Sequence, residues 1–149
     1  MATSNAATNY LERRLLSFIF KNNSLSFSSP GNNIYVGLAT AVSSIETGSV
    51  TEADFNGYTR KQVPHANWDI IGDDSTDTQT AKNNAVITFD AHSGGSSPGD
   101  AADVITHAFI ADASTSGNIL FVGQLDAPKT IAEGDIFRIN ANNLTIELK

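Results

Sequence analysis

The chain has 149 residues, a mass of 15.8 kDa and a formal charge of −7 at neutral pH. Its length suits one domain with its own core, and its surplus of carboxylates repels phosphate backbones and anionic lipid, so neither nucleic acid nor a membrane is expected as a partner. With no cysteine, the chain has no disulfide, thiolate metal site or thiol nucleophile, and stability is left to packing or to association with another subunit.

Charged residues make up only 17% of the chain against 40% hydrophobic. The rest is rich in Ser, Thr, Asn and Gly, which favours turns and strand edges and predicts many short strands. The basic residues are scattered. Arg13, Arg14 and Lys21 lie near the start, Arg60 and Lys61 come just after a glycine turn, and Lys82, Lys129, Arg138 and Lys149 stand singly, so each reads as solvated surface.

Residues 1–8 form a small-residue polar arm, too poor in apolar groups to fold alone and mobile unless a partner orders it. Residues 9–149 read as a single β-rich domain that opens with a helix. Asn9 suits its N-cap, Glu12 completes a capping box, and Leu11, Leu15, Phe18 and Ile19 fall on one face at helical spacing. The apolar run through Leu15, Leu16, Phe18, Ile19 and Phe20 is far shorter than a bilayer span and carries no cleavage pattern, so neither an export signal nor an anchor is expected.

Asn22, Asn23 and Ser24 end the helix, and residues 25–27 suggest a short strand before Pro30 and Gly31 break the chain. Ile34, Val36 and Leu38 alternate with Tyr35 and Gly37, which predicts a strand over 34–39 with Gly37 admitting close approach by a neighbour. Residues 42–50 read as loop. Gly57 turns the chain into a strand over 58–63 that Pro64 ends. The polar, acidic stretch 72–84 reads as a loop leading to a strand over 85–89, and 93–100 reads as a second, longer loop. Residues 104–111 and 119–125 flank a turn and predict a hairpin, and Pro128 interrupts the chain beyond it. Strands over 136–139 and 144–148 close the chain. About seven to nine short strands with one N-terminal helix predict a mainly β fold, a β-sandwich or jelly roll.

No catalytic constellation emerges. His65 comes after a proline, His92 opens the flexible loop, and His107 lies buried in an apolar alternation, none with metal-ligand spacing. Asp73, Asp74 and Asp77 cluster, but Thr78 stands where a calcium loop needs glycine and no closing Glu is in place, so a solvated loop is favoured. No Gly-x-Ser-x-Gly or lysine-bearing phosphate loop occurs. Glu52 and Asp54 before the Gly57 turn read as solvating or capping groups, not a glycosidase pair. Neither a metal nor another cofactor is expected. Tyr35, Tyr58, Trp68 and Phe109 read as packing groups, with the core favoured over a subunit interface for Trp68; an exposed aromatic row could also stack sugars, and the spacing does not decide between them.

The series Tyr35-Val36-Gly37-Leu38-Ala39-Thr40, Glu52, Gly57-Tyr58-Thr59-Arg60, Asn67-Trp68, Asn83-Asn84-Ala85 and Ile87-Thr88-Phe89 resembles small structural proteins of tailed bacteriophages. The likeness continues through Val104-Ile105-Thr106-His107-Ala108-Phe109-Ile110, Gly117-Asn118, Pro128-Lys129-Thr130, Gly134-Asp135 and Leu144-Thr145-Ile146. It implies a virion component without catalytic residues. Chains of this kind carry tail-fibre names, and related modules serve as capsid decoration proteins. Compact size, the polar arm and the lack of a long fibrous repeat lead to the expectation of a cement subunit, trimeric and bridging neighbouring copies of the major capsid protein. A tail-fibre module that binds host glycan is the alternative, and a carbohydrate-active enzyme is the remote one. Expected attachment elements are the arm with the helix, whose interface residues would be Leu11, Leu15, Phe18 and Ile19, and the loop over 93–103; Trp68 is a further interface candidate.

Overall fold

The computed structural model describes residues 6–25, 27, 28, 31, 33–75, 78–95 and 101–148. In chain order the elements are β1 (Ala6–Ala7), α1 (Asn9–Lys21), β2 (Ile34–Ser44), β3 (Ser49–Glu52), β4 (Lys61–Val63), a 3-10 turn (His65–Asn67), β5 (Trp68–Ile71), β6 (Gln79–Asn83), β7 (Ile87–Thr88), β8 (Asp103–Ala111), β9 (Ile119–Ile131), β10 (Arg138–Ile139) and β11 (Thr145–Leu148). The fold is mainly β with one N-terminal helix, as the sequence leads one to expect, and the strand pairings are antiparallel.

The main sheet runs β1-β9-β8-β2-β3, and β4 joins the same edge of β2 as β3. Alternation divides its side chains between two faces. Val36, Leu38, Ala108, Ile110 and Leu120 enter the larger core, where Phe55, Val63, Ile87, Phe89 and Phe137 cover them. The β11-β6-β5 sheet packs on this core through Trp68 and Ile146, and the β10-β7 ribbon through Ile87 and Ile139, so the smaller sheets stack over the main one as in a sandwich. On the opposite face Ala39, Phe109, Ala111 and Val122 form a smaller core beneath Val42, Ile45 and Val50.

Several boundaries differ from the sequence reading. The stretch 42–50 is not a loop: β2 runs on to Ser44, and Ile45–Gly48 turns it into β3, with the Gly48 amide donating to the Ile45 carbonyl at 2.9 Å and φ at +66°. Within 72–84, Gln79–Asn83 forms a strand despite its polar composition, because β5 and β11 satisfy it on both sides. The strand expected over 58–63 keeps only Lys61–Val63, and the one over 85–89 only Ile87–Thr88. The pairing expected for 25–27 falls partly outside the described residues; Leu25 and Phe27 are not in a strand.

The hairpin of β8 and β9 forms as expected, yet Pro128 does not interrupt it. Ile105 opposes Lys129 and His107 opposes Gln124, so β9 carries extra residues in a wide bulge there. Pro128 sits in that bulge, where its missing N–H breaks no ladder bond.

At the N-terminus the expected arm is partly structural. Ala6 and Ala7 pair with Val122 and Phe121, and Thr8 is buried, while residues 1–5 lie outside the described ones. Thr8, not Asn9, is the helix N-cap residue. Its hydroxyl donates to the Ile119 carbonyl at 2.5 Å instead of capping the helix, and the Asn9 amide donates to the Glu46 carbonyl at 2.8 Å. Asn22 ends the helix in the left-handed region at φ +52°.

Gly37 meets its expected close neighbour. It stands opposite Phe109, whose ring lies where a Gly37 Cβ would project. Gly37→Ala must therefore displace the ring or the strand, and a loss of about 1–3 kcal/mol is expected. Urea unfolding checks this as a lower midpoint at unchanged slope.

Candidate functional site

The segment between β3 and β4 shapes the most polar part of the interior. Residues 53–60 leave the edge of β2 and return, carrying Phe55 and Tyr58 into the larger core around a turn with Gly57 at φ +95°. This departure leaves Leu38 between the two pairing zones. Its carbonyl accepts from the Ala53 amide and its amide donates to the Tyr58 hydroxyl, both at 2.9 Å. The same hydroxyl donates to Glu52 Oε1 at 2.8 Å. Burial pushes the Tyr58 phenol well above its ordinary pKa and keeps it neutral, so it serves as acceptor and donor at once.

Glu52 ends β3 and Arg60 immediately precedes β4, and the two close the excursion in a two-pronged ion pair. Arg60 Nε donates to Oε1 and Nη2 to Oε2, each at 2.8 Å. Nη1 donates to the Ala113 carbonyl at 2.9 Å and the Ser116 carbonyl at 2.7 Å, tying in the loop between β8 and β9. The guanidinium carbon lies 5.0 Å from the centroid of the Phe109 ring. Burial works against the Arg60 charge, but hydrogen bonds and the field from Glu52 outweigh it and raise the pKa. By sequence alone Arg60 reads as solvated surface and Glu52 as a solvating or capping group. The structure corrects both: the Arg60 side chain is only 7% exposed. Lys61, which also reads as solvated, is half-buried and paired with Asp90. The available signal was an acid and a base flanking two aromatics across one glycine turn.

A second polar knot holds the β8–β9 loop. Asp112 is buried and accepts from the Asn118 amide at 2.7 Å, Asn118 Nδ2 at 2.9 Å, the Ser28 amide at 3.0 Å and the Ser28 hydroxyl at 3.1 Å. Burial alone would raise its pKa, but these hydrogen bonds together hold it below the ordinary carboxylate value. Ser28 is distant in sequence, and no local motif announces it.

The histidines divide differently from expectation. His92, at the start of the loop, is itself buried: it stacks on Phe55 at 5.5 Å, and its Nδ1 accepts from the Gly94 amide at 2.9 Å. His107 is half-buried rather than buried, with Nδ1 2.8 Å from the Thr106 hydroxyl. In the acidic loop, Asp73 Oδ1 accepts from the Ser75 amide at 2.8 Å, while Asp77 lies outside the described residues. Among the described residues no three His, Asp or Glu side chains form a metal-holding group, and no helix is long and apolar enough to cross a membrane.

The remaining candidates are apolar. Leu11, Leu15, Phe18 and Ile19 were expected to share a face of α1, and the helix does carry them, but they part company in burial. Tyr10 and Leu11 pack against the core; Leu15, Leu16, Phe18 and Ile19 are 42–58% exposed and Phe20 is 77% exposed. Trp68 is half-buried on the larger core, as favoured, and its Nε1 is the one buried side-chain polar atom without a partner among the described residues. The 93–103 loop is described only at its ends, where Asp103 accepts the Asp54 and Phe55 amides at 2.9 and 3.2 Å.

The family described as podophage GP4 fiber I protein gp80 matches residues 6–147, nearly the whole chain and all three sheets. The chain belongs to this family. It is thus a bacteriophage virion structural protein, as its strand-and-turn wording led one to expect. No curated protein matches the chain. The Gp80-family match begins at Ala6, the residue where β1 joins the sheet.

Two measurements probe the polar framework. Glu52→Ala leaves the buried Arg60 charge without its carboxylate and is expected to cost about 3 kcal/mol, read as a reduced midpoint in guanidinium chloride. For Asp112, a depressed folded pKa means that its contribution is complete above its unfolded value, 3.8, and is lost as pH falls below it through the folded pKa. Thermal melting in the acid range is expected to show a shallower pH dependence in Asp112→Asn than in the natural chain.

Proposed function

We propose that this chain is a non-catalytic attachment module of a phage fibre, holding its place in the particle by protein–protein docking through the outer face of α1. One observation carries the reading: from Leu15 onward the helix exposes five large apolar side chains, and none of its residues is buried. Fully burying such a side chain contributes roughly 1.5–3 kcal/mol, and clustered exposure of this kind marks interaction surfaces on soluble proteins. The family description supports a fibre setting. The reactive-looking side chains support a structural role, since Glu52, Arg60, Asp112 and His92 spend their hydrogen bonds on the fold.

A second reading places the module on the head as a trimeric cement subunit bridging copies of the major capsid protein. A small stacked-sheet domain with no fibrous repeat favours it. Copy number and position separate the two. Quantitative mass spectrometry of purified virions with electron microscopy of labelled particles is expected to show a few tens of copies or fewer, on fibres; several hundred over the head would favour cement.

The docking face has its own test. Leu16→Glu with Phe20→Glu alters exposed positions and is expected to change stability by no more than about 0.5 kcal/mol per site. Supplied in trans to phage lacking the natural gene, this variant is expected to be missing from purified particles. Normal occupancy would exclude α1 as the attachment element.

A further inference from the structure

We propose that two copies of this chain join edge to edge through β5, antiparallel about a two-fold axis at Ile70, so that their small sheets run on into one another. The contact needs nothing from α1, so it stands or falls apart from the docking reading of that helix.

The register of β5 determines which of its backbone groups stay open. The Asn84 amide donates to the Asn67 carbonyl at 2.9 Å, and β5 then pairs with β6 from Trp68 opposite Asn83 to Ile71 opposite Thr80. In an antiparallel ladder the residues bonded to a given neighbour alternate along the strand. Asn67, Asp69 and Ile71 therefore turn their backbone polar groups to β6, while Trp68, Ile70 and Gly72 turn theirs away. Among the described residues no strand lies on that outer edge. The Trp68 amide is spent on the His65 carbonyl. What remains is the amide and carbonyl of Ile70, the carbonyl of Trp68 and the amide of Gly72.

These groups are complementary to a second copy of themselves. With Ile70 on the two-fold axis, each Ile70 amide meets the Ile70 carbonyl of the other copy, and each Gly72 amide meets the other copy's Trp68 carbonyl. The side chains agree with this register. Ile70 opposes Ile70 and Asp69 opposes Ile71, so no carboxylate directly faces another. Asp69 also accepts from Asn84 Nδ2 at 2.8 Å and lies opposite Lys82 on β6. Ile70 is 73% exposed and Ile71 48%, and neighbouring residues of a strand point to opposite faces. This end of the sheet overhangs the core, and an added strand covers apolar surface on both of its sides.

Other open edges carry features that discourage pairing. β3 shifts register twice against β2, Pro64 directly follows β4, and the run of β9 beyond β1 holds the bulge with Pro128 and Lys129. β11 sets Glu147 between Leu148 and Ile146, which already packs on the core. β5 has neither proline nor lysine, and its register with β6 is unbroken. The contact is isologous and closes at two copies. So short a strand buries less than a standard interface, which makes the association weak.

The chain has no cysteine, so a single introduced one reports on proximity. Residues of a hydrogen-bonded antiparallel pair lie about 5.5 Å apart at Cα, within the span of a disulfide. Ile70→Cys is expected to yield a covalent dimer on mild oxidation, while Val86→Cys, at an exposed position outside the small sheet, stays monomeric. Sedimentation velocity at about 0.5 mM protein, in about 0.15 M salt to screen the charge of −7 on each copy, is expected to show a dimer. Ile70→Pro removes only an outward amide, and Ile70→Lys sets cation against cation; both are expected to lose the dimer, with circular dichroism and melting verifying their fold. Leu16→Glu with Phe20→Glu is expected to dimerise as the natural chain does. A natural chain that stays monomeric, an Ile70→Cys chain that cross-links no better than Val86→Cys, folded Ile70 variants that still dimerise, or a dimer that the α1 variant abolishes would overturn the proposal.

Discussion

Strand β2 has to be paired along an edge that two different strands share. β3 leaves that edge at Glu52 and β4 takes it up again at Lys61, opposite Val36, so the backbone at Leu38 falls in the gap between them. A buried amide and carbonyl left there without partners would cost several kcal/mol. The chain fills the gap with its own excursion: Ala53 satisfies the carbonyl and the Tyr58 phenol satisfies the amide. The other contacts of this region keep that phenol in place. The hydroxyl donates a hydrogen bond to Glu52, Glu52 is held by Arg60, and Arg60 lies on the Phe109 ring that Gly37 makes room for.

This chain of contacts joins the two cores. Tyr58 packs in the larger one with Phe55 and Phe89, while Phe109 belongs to the smaller one on the opposite face of the sheet. Arg60 also holds the β8–β9 loop through two carbonyls, and Asp112 holds the same loop from within. That loop leads into Ile119 and Leu120, whose carbonyls receive the hydroxyl and the amide of Thr8. The start of α1 is thereby fixed to the platform through Thr8 and through the turn at Glu46, although the rest of the helix adds little burial of its own. A rigid base beneath an exposed apolar helix would lower the entropy lost in the docking proposed for it.

Patterns that local chemistry determines were legible in the sequence. Alternation gave the centre of β2 and the β8–β9 hairpin, helical spacing gave α1, and the lack of helices between strands gave a mainly antiparallel β fold. What escaped was decided by distant partners. Gln79–Asn83 has no apolar alternation and is a strand because β5 and β11 supply its bonds. Pro128 looked like a strand end because the bulge that accommodates it is a property of the pair, not of β9 alone. Arg60 looked like surface because its carboxylate, its two carbonyls and its aromatic ring converge only after folding. The apolar face of α1 was visible and was expected at an interface, but spacing alone did not tell that Leu11 packs on the domain itself while Leu15, Phe18 and Ile19 stay exposed.

The contrast between how the chain treats polar and apolar groups bears on what kind of molecule this is. Its interior carboxylates and its buried guanidinium are held by several hydrogen bonds each, an arrangement that fixes geometry. Its unspent interaction free energy lies outside, on the helix from Leu15 to Phe20 and at the overhanging end of the small sheet. Apolar surface of this kind gains most from burial against protein and does so without directional demands, whereas the surrounding charges set which surfaces approach and in what orientation. The division suits a virion component: the polar framework holds the fold in one shape, and the exposed faces are where the docking proposed above would take place.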